Sequence, residues 1–342
     1  MKILITGGSG FVGSNIAIYL KKKIKNVKIS SLDNLMRNGS KINRDRLSKF
    51  NIRNYNVNIE DFNKIKLLPK FDLVIDCCAE PAIEASKKDP DRVFKTNLIG
   101  TFNILKKCIE DNANIIFLSS SRVYSIHELR KFTKNLNIKK PQKIIRKVNE
   151  NFKTTSASSL YGFTKIASEK LIKEFFFKSN LKYIINRFGV IAGPWQFGKQ
   201  DQGFVPLWVA RHYFKKNLSY IGFGGHGYQV RDILHINDVC DIIYLQIRKL
   251  KVINNQTFNI GGSLKSYVSL KSLTKKCEKL TNNKIKFKKI PKTSIFDIPY
   301  YISDNRKVKK TYKWQPKKDI DLILNDIYKW LKDNKNLKRF FL

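Results

Sequence analysis

The chain has 342 residues, 42% hydrophobic and 27% charged, enough apolar material for one large domain or two intimately joined ones and too much for disorder. No apolar run approaches the roughly 18 residues that cross a bilayer, so no membrane-spanning helix is expected. The formal charge of +40 permits anionic partners, yet the lysines are spread along the chain, as in Lys21-Lys22-Lys23, Lys139-Lys140, Lys275-Lys276 and Lys317-Lys318. That spread reads as a solvated surface with no specific nucleic-acid partner, and a nucleic-acid-binding protein that reuses an enzyme fold is kept as a rival.

In chain order, Lys2–Thr6 is apolar and β-prone and runs straight into glycines. It reads as a first strand and not a leader, so a cytoplasmic location is expected. Phe11–Lys23 has helix-compatible apolar positions, and Val27–Leu32 is a second strand candidate. Phe71–Cys77 and Ile115–Leu118 look like buried strands beside helical pattern. Short apolar strands alternating with helices predict an α/β fold built on a doubly wound parallel sheet. The segment from Ser125 to Ser158 is polar and poorly periodic, and reads as an insertion able to cover a substrate. The second half has loops rich in glycine and aromatics around Gly193–Gly203 and Gly222–Gly227. Trp195 and Trp208 are expected in the core.

The first glycine cluster, Thr6-Gly7-Gly8-Ser9-Gly10-Phe11-Val12-Gly13, follows a strand and opens a helix. Gly7, Gly10 and Gly13 permit a tight turn, close approach of backbone to a pyrophosphate, and close packing of helix on strand. The helix N-terminus then offers free N–H groups to phosphates. Asp33 ends the second strand 20 residues past Gly13, where an acid accepts from the adenine-ribose hydroxyls and repels a 2′-phosphate. NAD is therefore expected over NADP, although Arg37 follows and a cation there could serve a phosphate.

Tyr161 and Lys165 lie four residues apart, on one face of a helix. The ammonium lowers the phenol's pKa and can hold a ribose hydroxyl. Upstream, the strand Ile115–Leu118 ends in Ser119-Ser120-Ser121, where a hydroxyl can orient a reacting oxygen. Five cysteines (Cys77, Cys78, Cys108, Cys240, Cys277) include no Cys-x-x-Cys pair, and His127, His212, His226 and His235 lack ligand spacing. Reduced thiols and no metal are expected.

The glycine loop, Asp33, Asn97-Leu98-Ile99-Gly100-Thr101, the serine run, Tyr161 with Lys165, Gln229–His235 and Phe258–Gly262 together resemble the extended short-chain dehydrogenase/reductase family, the NAD-dependent epimerases and dehydratases. The likeness covers nearly the whole chain. It implies a Rossmann-type sheet with a smaller interleaved α/β substrate domain. The expected division is an NAD domain over 1–185, with 232–262 packing back on it, and a nucleotide-sugar domain over 186–231 and 263–342.

The resemblance also implies roles. Ser120, Tyr161 and Lys165 would be catalytic, with Ser121 an adjacent alternative to Ser120. NAD would meet Gly7, Gly10, Phe11, Val12, Gly13, Asp33, Asn34, Asn58, Ile59, Ala79, Asn97, Tyr161 and Lys165, and Asn58 stands where the family has an acid near the adenine. Ser121, Arg122, Gln229 and Arg231 would meet the substrate, with Arg231 on its pyrophosphate. Members that dehydrate or decarboxylate carry a glutamate where this chain has Arg122, which argues against those reactions. Gly189 replaces a polar residue that contacts substrate in many members, and His235 and Asp238 would stabilise the domain junction. Asp33–Ser40, Gly198–Gly203 and Gln229–His235 are similar to members that invert C2 of a CDP-linked deoxyhexose. The implied activity is NAD-dependent epimerisation of a nucleotide sugar, with a nucleotide-sugar reductase or dehydrogenase as the same-class alternative. A homo-oligomer is compatible with the family.

Overall fold

Lys2–Thr6 forms strand β1, with all four residues after Lys2 buried. In a computed structural model that describes residues 1–81, 88–134, 136, 146–155, 158–199 and 202–341, the remaining strands are β2 (Lys28–Leu32), β3 (Arg53–Tyr55), β4 (Leu73–Asp76), β5 (Asn114–Ser120), β6 (Tyr183–Phe188), β7 (Val190–Ala192), β8 (Leu218–Ile221), β9 (Val230–His235), β10 (Gln256–Ile260), β11 (Tyr267–Ser269), β12 (Phe287–Ile290) and β13 (Tyr300–Tyr301). Every strand expected in the first half is present, and Phe11–Lys23 is a helix with the expected bounds.

The chain divides into two units: Met1–Val123, Ser159–Arg187 and Val239–Phe258 form one, and Tyr124–Ser158, Phe188–Asp238 and Asn259–Leu342 the other. The first is organised by a seven-stranded sheet in the order β10-β6-β5-β4-β1-β2-β3. The pairs β1–β2, β2–β3, β1–β4 and β4–β5 are parallel. The chain leaves β1 outward through β2 and β3, then returns to β4 on the other side of β1. This is the doubly wound order, and it puts the turn after β1 at the switch point where such sheets bind ligands. Leu4, Val74, Ile115 and Phe117 from the strands are fully buried against Ile104, Leu105 and Ile172 from helices.

In the second unit β9 pairs with β7, β11 and β13, and the Phe204–Tyr213 helix packs on the Leu270–Thr281 and Ile320–Asp333 helices. Residues 124–158, expected in the first domain, group here for a physical reason: their backbone is bonded to this unit. Val148 N donates to Ile302 O and Asp304 N to Val148 O, both at 2.9 Å. The Asn259 amide also donates to Val148 O at 2.8 Å. Residues 135, 137–145 and 156–157 of the supposed insertion lie outside the described residues. Trp208 is buried with its indole N–H on Thr274 Oγ1 at 3.1 Å, and Trp195 tilts against Trp330 at 5.6 Å between ring centroids. Among the described residues no helix is long and apolar enough to cross a membrane.

His235 and Asp238 both find partners in this second unit. Asp238 Oδ2 accepts the backbone N–H of Lys317 and of Lys318, each at 3.2 Å. His235 is 1% exposed, its Nδ1 accepts Asn237 N at 3.0 Å, and its Nε2 lies 3.3 Å from Asp326. Burial, helped by the charge of Lys318 and opposed by Asp326, pushes the imidazole down to about 4. The folded state thus favours neutral His235, so its contribution to stability is full above about pH 6.5 and lost as pH falls toward 4. At about 1.4 kcal/mol per unit the loss reaches about 3 kcal/mol. The urea midpoint of the native protein should fall more steeply between pH 6.5 and 4 than that of His235→Gln. Parallel slopes for the two proteins would contradict the assignment.

Candidate active site

The glycine loop owes its shape to the absence of side chains. Gly7 has φ +57°, a left-handed conformation that glycine adopts without penalty, and Gly10 N closes the turn on Gly7 O at 2.9 Å. A Cβ on Gly13 would stand 2.4 Å from Gly7 O and 2.7 Å from Gly8 Cα. The first helical turn therefore lies directly on the loop, where a helix N-terminus suits a pyrophosphate. Beneath, the buried Asp76 carboxylate accepts Thr6 Oγ1 at 2.5 Å, Cys78 N at 3.2 Å and Thr101 Oγ1 at 3.3 Å. It ties the ends of β1 and β4 together. These residues fit a dinucleotide, because the cradle is backbone that any Cβ at Gly13 would fill.

Asp33 accepts Ser9 N at 3.1 Å and Leu35 N at 2.8 Å, so its carboxylate sits against the loop. Burial raises its pKa, and the bonds from Leu35 and Ser9 and the charge of Arg37 oppose that rise. Asn54 locks the arrangement from β3, with Oδ1 taking Ser9 Oγ at 3.1 Å and Ser31 Oγ at 2.6 Å. Asn34 and Asn58 are exposed and bond locally, to Met36 N and Glu60 N. Ile59 is buried against Gly100, and Ala79 is half-buried.

Tyr161 and Lys165 lie one turn apart on the Leu160–Phe177 helix, which Ser159 caps by accepting Gly162 N at 3.1 Å. Lys165 is 2% exposed. Its ammonium donates to Leu118 O at 3.0 Å and Cys78 O at 3.4 Å, and lies 4.5 Å from the centre of the Phe117 ring. It is thereby held at the ends of β4 and β5. The serine run separates by position. Ser119 Oγ is committed to Glu169 at 2.6 Å, Ser120 closes β5 with Oγ accepting Arg122 N at 3.2 Å, and Ser121 and Arg122 enter a 3₁₀ turn. Ser120 thus has the strand-end hydroxyl that the register of the family implies.

Asn97, expected on the cofactor, is 1% exposed and braced within the protein. Its amide accepts Glu80 N at 2.7 Å and donates to Glu80 O and Thr164 Oγ1, both at 3.2 Å. It lies in a π turn, Lys95–Ile99, inside an otherwise α-helical run, the kind of bulge that gathers at functional sites. A further brace was not read from the sequence. Glu169, four residues past Lys165 on the same face, forms a buried ion pair with Arg187 at 2.7 Å. The four-residue spacing of Tyr161, Lys165 and Glu169 was the available signal.

Gln229 and Arg231, the expected substrate residues, belong to the second unit. The Gln229 amide donates to Ile221 O at 3.1 Å. Arg231 donates to Asp297 at 2.9 Å, to Ile298 O at 2.7 Å and to Val230 O at 2.8 Å. Gly189 lies where a Cβ would come within 2.9 Å of Asp232 Oδ1. Asp232 is fully buried, and burial pushes its carboxyl up to about 6 against the bonds from Ser263 N and Ser303 N. Among the described residues no group of histidine, cysteine and acidic side chains could hold a metal ion.

Doubly wound sheet, glycine cradle and tyrosine–lysine helix together define a Rossmann-type dinucleotide enzyme. A model of the NAD dependent epimerase/dehydratase family matches residues 3–261, so the chain belongs to that family and NAD is its cofactor. It is 28% identical to CDP-paratose 2-epimerase of Salmonella typhi, over 96% of this chain and 99% of that one. Among solved structures it resembles UDP-glucose 4-epimerase of Thermotoga maritima with UDP-glucose, at 25% identity and TM-score 0.80, covering 98% and 100% of the two chains. It also shares its fold with UDP-glucuronic acid 4-epimerase of Bacillus cereus in complex with UDP-glucuronic acid and NAD, at 22% identity and TM-score 0.81, covering 97% and 99%.

The cradle generates a direct prediction. Gly13→Ala should weaken NAD binding at least about tenfold, because the methyl must displace the loop backbone that meets the pyrophosphate. Calorimetric titration of NAD checks this, and unchanged affinity in the folded variant would show that the loop relaxes freely.

Proposed function

We propose that the protein epimerises a nucleotide sugar, and specifically that it interconverts CDP-paratose and CDP-tyvelose by inverting C2. The observation that carries the reading is the Tyr161–Lys165 pair, with the lysine fixed on the carbonyl of Leu118, in the strand that ends at Ser120. NAD, when bound, supplies reversible hydride exchange. The Tyr161 oxygen takes the proton of the sugar hydroxyl while that carbon becomes a ketone. Lys165 assists from one turn along the helix, and the Ser120 hydroxyl donates to the reacting oxygen. After the ketone presents its opposite face, Tyr161 returns the proton to the same oxygen.

Two features favour C2 epimerisation over its relatives. The likeness to the Salmonella typhi enzyme runs the length of both chains. Arg122 stands where dehydrating members carry a carboxylate, and a guanidinium cannot act as that base. An epimerase regenerates its cofactor within each cycle, whereas a net reductase or dehydrogenase exchanges it every turnover.

Incubation with CDP-paratose, followed by NMR of the sugar C2 proton, should show conversion to the C2 epimer without added nicotinamide. Conversion that needs stoichiometric NAD or NADH would support the reductase or dehydrogenase instead. On the confirmed substrate, Tyr161→Phe should lower kcat by at least about 10²-fold while NAD affinity is nearly kept. Lys165→Met should lose both activity and affinity, and Ser120→Ala should cost less than either. Near-normal turnover by Tyr161→Phe would refute the assignment of the acid/base. A greater loss in Ser121→Ala than in Ser120→Ala would move the hydroxyl role by one residue.

A further inference from the structure

A chain of formal charge +40 carries a positive field that favours the more anionic of two dinucleotides, NADP over NAD. Arg37 sharpens the problem. It lies four residues past Asp33, beyond a turn in which Asp33 Oδ1 accepts Leu35 N at 2.8 Å and Leu35 takes φ +61°. Its charge is felt by the Asp33 carboxyl. A cation in this place is what a Rossmann site uses to accept a 2′-phosphate.

The structure gives that cation a fixed counter-charge. Glu80 Oε1 is 3.6 Å from Arg37 Nη1, and Oε2 is 3.0 Å from Arg92 Nη2. The Glu80 side chain is 10% exposed, against 38% for Arg37 and 47% for Arg92. Its backbone is clamped on both sides by Asn97, at 2.7 and 3.2 Å. The carboxylate is therefore anchored by the buried partner, and the arginines come to it. Asp33 and Glu80 against Arg37 and Arg92 sum to zero charge; without Glu80 the group would be +1.

We propose that Glu80 is a specificity-determining residue for the cofactor: by holding Arg37, it withholds the cation that would otherwise receive the 2′-phosphate of NADP. Asp33 disfavours the phosphate by repulsion, and Glu80 removes the attraction. The proposal rests on the reading that Asp33 receives the adenine ribose.

The test is calorimetric titration of NAD and of NADP at low ionic strength, with no sugar present. Glu80→Gln should raise NADP affinity relative to NAD by about tenfold, with NAD affinity itself little changed. Adding Arg37→Gln to that variant should abolish the gain. An unchanged NADP-to-NAD ratio in Glu80→Gln, or a gain that survives loss of Arg37, overturns the proposal. Should Glu80→Gln not fold, Glu80→Asp draws the carboxylate back from Arg37 and keeps the backbone bonds to Asn97; a several-fold rise in the ratio is then expected, and no rise overturns it. Asp33→Asn separates the two layers. If it leaves NAD affinity unchanged, the placement of the ribose fails and the proposal with it. If it weakens NAD while Glu80→Gln leaves the ratio flat, only the role of Glu80 is lost.

Discussion

The first unit is built around a buried cation. An ammonium removed from water costs several kcal/mol unless it is well partnered, and Lys165 is partnered by the carbonyls of Leu118 and Cys78 and by the face of Phe117. Those groups come from β5 and from the segment after β4, so the helix can dock only where both strand ends meet its lysine. Once it is docked, the same helix face brings Glu169 to Arg187 and Ser119, and the neighbouring Thr164 meets Asn97. The position of Tyr161, one turn before the lysine, follows from that register. The placing of Tyr161 and the packing of the helix are here one constraint, because Lys165 sets the register of both.

The positive charge of the chain stays outside this constraint. Among the described residues the buried lysine and arginine side chains are Lys107, Lys165 and Arg187. Lys107 pairs with Asp111 at 2.7 Å and Arg187 with Glu169 at 2.7 Å, and Lys165 rests on carbonyls. The interior is therefore that of an ordinary enzyme, and the lysine excess is a property of its surface. Such a surface sets long-range potential and solubility, and leaves the fold unaffected.

What could be read from the sequence is what depends on neighbours along the chain. Strands β1, β2, β4 and β5 are short, apolar and separated by helices, so their pattern is local and legible, whereas β3, Arg53-Asn54-Tyr55, is polar and was not read. The glycine turn, Asp33 and the tyrosine–lysine spacing are local too, and the structure places each at the switch point of the sheet or on the expected helix. The second unit resisted because β7, β11 and β13 are two or three residues long and exist only through pairing with β9. For the same reason the grouping of residues 124–158 was missed, since the bonds of Val148 reach partners more than a hundred residues away. Asn97 shows the limit most clearly. Its motif marked it as important, but only the fold reveals that its amide braces Glu80 and Thr164. The buried Asp76, which joins β1 to β4, carries no local signal at all.

The π turn at Lys95–Ile99 fixes more than a local irregularity. Each α-helical residue advances about 100° around the axis, so the extra residue stored in that turn offsets the angular phase of everything before it relative to everything after. Thr101, beyond the bulge, faces Asp76, while Asn97, within it, faces Glu80 and Thr164. Removing a single residue between them would thus be a change of phase, turning Thr101, under the glycine loop, by about 100° against Asn97, the brace of the Leu160–Phe177 helix, while leaving both side chains in place in the sequence.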